Sequence, residues 1–271
     1  MTASTLESLL KRDRLVILAS LVVLGSLSWL YLFYLAAGME RMDGIAGRLM
    51  GMPQMNAAGE MRKPSLAGAA INFILLSTMW IVMMIGMMLP SAAPTILLFA
   101  ALERRRRSPR PYGRVALFVS GYFVTWSVFS IAAAFLQTAL STAGQVSMQM
   151  VLTSGIISGA VLILAGLYEF SPLKNRCLSH CRSPLEWIAH RQRPGSFGAL
   201  RMGMEHGLLC VGCCWMLMLL LFVGGVMNLL WVAVIAAMVL VEKLLPGGPI
   251  AARIAGGALV VFGVYVAGTS L

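Results

Sequence analysis

Charged residues are scarce in this chain, and acidic residues are scarcer than basic ones. Only 11% of the 271 residues are charged and 59% are hydrophobic, with a mean hydropathy of +0.85. The sequence also lacks a Walker loop, a Gly-x-Ser-x-Gly motif and a His-Glu-x-x-His motif, which argues against a hydrolytic or transferase enzyme. The composition predicts an all-α, polytopic membrane protein with no room for a large soluble domain.

Cysteine is rare as well, with five residues in the whole chain. Three lie in one hydrophobic run and two lie in a predicted cytoplasmic loop, which excludes a disulfide framework of the secreted kind. No small-residue cleavage site follows the first apolar run. We therefore expect that run to be an uncleaved first helix and not a signal peptide.

The hydrophobic runs predict about seven membrane spans within one domain that covers residues 1–271. These spans are about 15–37, 67–102, 115–139, 150–170, 202–223, 227–245 and 250–269. Pro90 and Pro94 predict a kink in the second span. Gly155-x3-Gly159 in the fourth span and the Gly- and Ala-rich seventh span predict close helix packing.

Basic residues predict the orientation of these spans. They cluster in 103–114 and 171–197, which marks both segments as cytoplasmic loops, and three of them precede the first span. This pattern favours a cytoplasmic N-terminus in a bacterial inner membrane. Segment 38–66 would then be extracytoplasmic, although it carries four Lys and Arg residues against the rule. The basic clusters need no nucleic acid to explain them, so the lipid bilayer is the predicted partner.

The stretch with the most chemical content is His206-Gly-Leu-Leu-Cys-Val-Gly-Cys-Cys-Trp215. On a regular helix His206, Cys210, Cys213 and Cys214 share an arc of about 100°. One face of a membrane helix would then offer thiols and an imidazole, which suits a soft metal or thiol redox chemistry. The alternative is ordinary packing, because cysteine behaves as a small hydrophobic residue in buried helices.

A second cluster, Cys177, His180 and Cys181, follows the fourth span. These side chains could bind a metal together, although their spacing is tighter than that of an ordinary zinc knuckle. The alternative is a loop anchored by two buried thiols. The two clusters could form an intramembrane site and a separate cytoplasmic hand-off point.

Methionines form a third group of candidate ligands. Segment 38–66 contains six of them, and Met50, Met52 and Met55 place three thioethers close together. Thioethers are soft ligands that favour Cu(I) over hard cations, but an amphipathic segment at the lipid surface would also be rich in methionine. Met83 and Met87 lie on one stripe of the second span. Core packing alone usually explains such a stripe, but their depth near the predicted kink could also match that of the cysteines in the fifth span.

Several motifs between about 75 and 245 resemble a bacterial family of predicted metal-binding integral membrane proteins, described as a domain of unknown function. They are Trp80…Met84…Met88-Leu-Pro90, Ser171-Pro-Leu-Lys174…Cys177…Cys181-Arg182, Cys210-Val-Gly-Cys-Cys-Trp215, Met227-Asn-Leu229 and Glu242-Lys243. The resemblance implies metal association in a membrane and supplies no assigned reaction. It does not include the methionine-rich segment 38–66.

Three functions are compatible with these features. The first is a copper-handling membrane protein that transports Cu(I) or delivers it to a metal-accepting partner. Zinc is the alternative metal, since three Cys and one His make a closed tetrahedral site. The second is a thiol–disulfide protein using Cys210-x2-Cys213, although residues three apart on a helix rarely reach disulfide geometry. The third is a subunit that packs with other membrane subunits.

Two further side chains carry an expectation about topology. Glu242 and Lys243 are adjacent at the end of the sixth predicted span. We expect them to form a helix-end pair at the cytoplasmic surface.

Overall fold

The computed structural model describes residues 3–40, 66–105, 111–147, 150–191, 193 and 195–270. The candidate copper ligands Met50, Met52 and Met55 lie outside the described residues.

The described residues form ten helices and one isolated β-bridge between Val146 and Leu152. In chain order the helices are α1 (Ala3–Glu40), α2 (Leu66–Arg105), α3 (Pro111–Thr142), α4 (Gly155–Glu169), α5 (Pro172–Arg182), α6 (Pro184–His190), α7 (Gly195–Leu219), α8 (Leu221–Gly224), α9 (Leu229–Leu244) and α10 (Gly248–Gly268). The prediction of an all-α membrane helix bundle is confirmed.

The described residues contain fewer helices of membrane-spanning length than the seven spans that the sequence predicts. Five segments of the described chain are long and apolar enough to cross a membrane, and they belong to α1, α2, α3, α7 with α8, and α10. The pair α4 and α5 makes a sixth span if it is taken as one element bent by 61°. Helix α9 has only 16 residues, or about 24 Å at 1.5 Å per residue, which is short of the roughly 30 Å hydrocarbon core.

The segment 171–197, expected as a loop, is largely helical. The Ser171 hydroxyl accepts a hydrogen bond from the Leu173 amide at 3.1 Å, and Pro172 occupies the first turn of α5. Both features start a helix, because the serine satisfies a free amide and proline has none to satisfy. Lys174 and Leu178, one turn apart, are buried. The segment therefore packs one face against the bundle.

Glycines let two helix pairs approach closely. A Cβ at Gly159 would lie 2.7 Å from the Gly263 carbonyl oxygen, so α4 packs directly on α10, as the small-residue pattern predicts. A Cβ at Gly203 of α7 would collide with the Phe118 carbonyl of α3. This second approach brings the face of α3 that carries Tyr122 against the cysteine-bearing face of α7.

Gly203→Ala is expected to destabilise the fold by about 1–3 kcal/mol, because the obstacle is a backbone carbonyl and cannot move aside as a side chain can. The measurement is unfolding of the detergent-solubilised chain in mixed micelles with increasing SDS. Gly257→Ala is the matched control on α10, since nothing lies within 4 Å of the added Cβ. We expect it to be neutral or stabilising by about 0.5–1 kcal/mol. Equal losses for the two variants would contradict the close approach of α3 and α7.

Candidate metal centre

Three of the five thiols are buried together near the middle of the span Gly195–Gly224. Cys210, Cys213 and Cys214 all lie on the inward face of α7. The thiols of Cys213 and Cys214 donate to the Cys210 carbonyl at 3.0 and 2.9 Å. These bonds are made within α7 itself.

The sulfur of Cys210 has two polar partners from other helices. The Lys243 ammonium of α9 donates to it at 2.9 Å, and the Tyr122 hydroxyl of α3 lies 3.1 Å away. The Lys243 ammonium also lies 3.4 Å from the Ser91 hydroxyl of α2. Side chains from four helices are therefore linked at this point, three of them at the sulfur and the fourth through the ammonium.

The methionine beside the thiols is Met88. Its sulfur is 4.0 Å from the Cys214 sulfur. Met83 and Met87, the methionines singled out in the sequence, are buried on the same helix, α2. One residue of register separates Met87 from Met88, and the sequence offers no means of choosing between them.

Helix α5 adds a fourth thiol from outside α7. It packs on α7, and the Cys181 side chain lies close enough to Cys213 for the two thiols to interact electrostatically. Cys177, one turn earlier, packs its sulfur on Gly212, where a Cβ would lie 2.9 Å from that sulfur. The two cysteine clusters of the sequence therefore lie side by side.

The two candidate histidines lie in different surroundings. His206 is buried, and its ring centroid lies 5.8 Å from that of Tyr122, 6.0 Å from Phe118 and 5.4 Å from Trp187. His180 is exposed, with Nδ1 2.7 Å from the Arg176 carbonyl oxygen. The structure brings His206 to the edge of the thiols and leaves His180 at the surface.

As the side chains stand, no three His, Cys, Asp or Glu residues of the described chain are grouped in the manner of a metal site. The soft donors in this part of the bundle are sulfur atoms, namely four thiols on α5 and α7 and the Met88 thioether 4.0 Å from the Cys214 sulfur. They would have to move closer together to bind one ion. Thiolates and thioethers are the ligands that Cu(I) prefers, whereas Mg²⁺ and Ca²⁺ require oxygen. The donor set therefore fits a soft cation and does not fit a hard one.

A family model described as PpoB2, copper chaperone, matches residues 77–266, more than half of the chain. The chain belongs to this copper chaperone family. The resemblance to metal-binding membrane proteins is thus confirmed at the level of a copper-related family. No curated protein and no solved structure matches the chain significantly.

The region shared with the copper chaperone family contains every residue of the thiol cluster, which we define as Cys181, Cys210, Cys213 and Cys214. It also contains Met88, Tyr122 and Lys243, and it leaves out segment 38–66. The family match therefore covers the part of the chain that carries the sulfur donors just described.

The expectation for Glu242 and Lys243 was wrong. Both side chains are buried, because they lie on faces of α9 that pack against α2 and α5, where Lys243 meets Ser91 and Glu242 meets Lys174. The Arg182 guanidinium donates to the carbonyls of Glu242 at 2.5 Å and Pro246 at 3.2 Å.

Glu242 belongs to a buried charge triad with Glu169 and Lys174. The Lys174 ammonium pairs with one oxygen of Glu169 and lies 2.7 Å from one oxygen of Glu242. All three side chains are at most 2% exposed. The triad fastens α5 to α4 and α9, and it thereby holds Cys181 of this copper chaperone family member against α7.

Proposed function

We propose that this protein is a membrane copper chaperone that holds Cu(I) as cargo on the thiol cluster and passes it to an acceptor protein. The observation that carries the proposal is the packing of α5, which bears Cys177 and Cys181, on the cysteine-bearing part of α7. Thiols from two separate helices lie beside one another, in a chain of the copper chaperone family. A packing role alone does not require thiols on both helices.

The Met88 thioether and the family match favour copper over zinc. Zinc is held by thiolates and imidazoles, and four thiols could hold it as well, whereas a thioether is a ligand suited to Cu(I). The Met88 sulfur lies 4.0 Å from the Cys214 sulfur, and the chain belongs to a copper chaperone family.

Methionines supply a route by which copper reaches the cluster. Met83, Met87 and Met88 follow one another along α2, and Met88 ends beside Cys214. We propose that Met50, Met52 and Met55 capture the ion outside the cytoplasm and that the α2 methionines carry it inward. Thioethers serve this purpose because they bind Cu(I) and do not form disulfides in an oxidising compartment.

Release takes place at α5. Cys181 faces the cluster, whereas its neighbour His180 is exposed and lines a surface cavity of about 420 Å³. Trp187 lines the same cavity and contacts His206 inside the bundle. We propose that the acceptor protein binds here and receives copper through Cys181, with His180 as its first external ligand.

Cys181→Ser against Cys177→Ser tests this function, because the two residues are one turn apart on the same helix. After anaerobic loading with Cu(I), we expect Cys181→Ser to slow transfer to a Cu(I)-specific chelator by about tenfold, equivalent to ~1.4 kcal/mol. Cys177→Ser should transfer copper as the unmodified chain does, since its sulfur packs on the Gly212 backbone. Metal analysis and chelator absorbance provide the measurement. An unmodified chain that retains no Cu(I), or identical rates for both variants, would reject the proposal.

The same contact also favours a thiol–disulfide function. Cys181 and Cys213 lie on different helices, so the geometry that disfavours a Cys210–Cys213 disulfide does not apply to them. Their two thiols would lose two electrons and two protons to the disulfide of a partner, which is reduced. Mass spectrometry after treatment with oxidised glutathione separates the two functions. A Cys181–Cys213 disulfide or a mixed disulfide supports redox exchange. Bound copper, with every cysteine still reduced, supports the chaperone function.

A further inference from the structure

Lys243 is a buried cation whose counter-charge is not a carboxylate. It is 6% exposed, and the ion pairs of the described residues do not include it. Its neighbour Glu242 pairs with Lys174 instead. The hydrogen-bond partners of the Lys243 ammonium are the Cys210 sulfur at 2.9 Å and the Ser91 hydroxyl at 3.4 Å.

A buried ammonium inside a membrane protein needs an anion, because leaving it unpaired in a medium of low dielectric constant is costly. The Ser91 hydroxyl is neutral and itself donates to the Met88 carbonyl. Of the two groups in hydrogen-bonding contact with this ammonium among the described residues, only the Cys210 sulfur can carry a negative charge, and the Tyr122 hydroxyl lies 3.1 Å from the same sulfur. The Lys243 ammonium is therefore placed at the edge of the thiol cluster.

The effect of this ammonium on a bound metal depends on the charge of the ion. For an ion at a given position in the cluster, repulsion by the ammonium is proportional to the charge of the ion, so it is twice as large for a divalent cation as for a monovalent one. The site is buried, so solvent screens this repulsion only weakly. The ammonium therefore disfavours a divalent ion more strongly than a monovalent one.

We propose that Lys243 is a specificity-determining residue that selects a monovalent soft cation over a divalent one by supplying one fixed positive charge to the thiol cluster. The inference deepens the proposed function, because it takes the thiol cluster as the copper site. It assigns to Lys243 a task distinct from that of the buried Lys174, whose charge is already matched by carboxylates.

The test is the ratio of Ag(I) affinity to Cd(II) affinity of the full chain in detergent. Ag(I) is a stable monovalent soft cation and Cd(II) is a divalent one. Lys243→Gln keeps a hydrogen-bond donor but removes the charge, and we expect it to lower the ratio by about tenfold or more. Lys243→Arg keeps the charge and should keep the ratio within about threefold of the original value. Tyr122→Phe is the matched control, since it removes a neutral partner of Cys210. We expect it to weaken the binding of both ions and to leave the ratio of their affinities unchanged.

Both affinities are measured on the same folded preparation, so a loss of stability in a variant does not alter their ratio. Lys243→Met provides a second uncharged variant if Lys243→Gln yields no folded protein, and the same fall in ratio is expected. An unchanged ratio in an uncharged variant overturns the inference while leaving the thiol cluster as the copper site. An unmodified chain that binds neither ion overturns both.

Discussion

Replacing Cys210, Cys213 and Cys214 together with serine is expected to reduce the Cu(I) retained by the purified chain to the level of an unloaded sample. The variant keeps only one thiol of the cluster, and a serine hydroxyl is a hard oxygen donor that does not replace a thiolate for a soft ion. The measurement is anaerobic loading with Cu(I), removal of unbound metal by gel filtration, and metal analysis per mole of protein.

The triple serine variant should fold, which makes its result interpretable. Cys213 and Cys214 donate to the Cys210 carbonyl within the same helix, and serine makes this bond to the preceding turn as well. Cys210→Ser also removes the sulfur that the Lys243 ammonium contacts, so we expect the melting temperature in detergent to fall while the folded variant is still recovered as a single peak in gel filtration. Cys177→Ser is the control for loss of a thiol outside the cluster. Full copper retention by the triple variant would contradict the assignment of the site.

The local arrangement of the α7 cysteines could be predicted from the sequence because it depends only on helix geometry. A hydrophobic run of sufficient length forms a helix in a membrane, and the spacing of His206, Cys210, Cys213 and Cys214 then fixes a common face. All four are buried in the structure. Their roles as ligands remain a proposal, but their shared direction followed from the number of residues per turn.

The position of Cys181 could not be predicted in this way. It depends on the 61° bend between α4 and α5 and on a charge triad in which Glu242 is far along the chain from Glu169 and Lys174. An isolated lysine such as Lys174 is normally a solvated residue, and the basic composition of 171–197 suggested an exposed loop. Only the tertiary fold shows that two carboxylates meet this lysine.

Lys243 illustrates the same limit in another form. Its burial follows from the packing of α9 on α2, α5 and α10, which turns the Lys243 side chain toward Ser91 and Cys210. The sequence shows where the hydrophobic run ends, but it does not show which face of that end meets the other helices. The contact with Cys210 joins residues 33 positions apart, and the helical spacing within either segment contains no information about it.

Lys174→Met is expected to lower the free energy of unfolding by about 3–5 kcal/mol, or to prevent folding altogether. The substitution leaves Glu169 and Glu242 buried without their shared cation, and one oxygen of each carboxylate already lacks a hydrogen-bond partner among the described residues. Solvent screens the interaction of Lys174 with the two carboxylates only weakly, because the three side chains are almost completely buried. SDS-induced unfolding in mixed micelles measures the loss.

A variant that replaces Lys174, Glu169 and Glu242 together with methionine separates the charge effect from the packing effect. Replacing a whole buried ion cluster with apolar residues of similar volume is often neutral or stabilising, so this variant should regain most of the stability lost by Lys174→Met. A triple variant no more stable than the single one would show that the lysine acts through packing.

If the triad also serves to position α5, the triple variant should fold but transfer Cu(I) slowly, as Cys181→Ser does, because nothing then fixes the Cys181 thiol against Cys213.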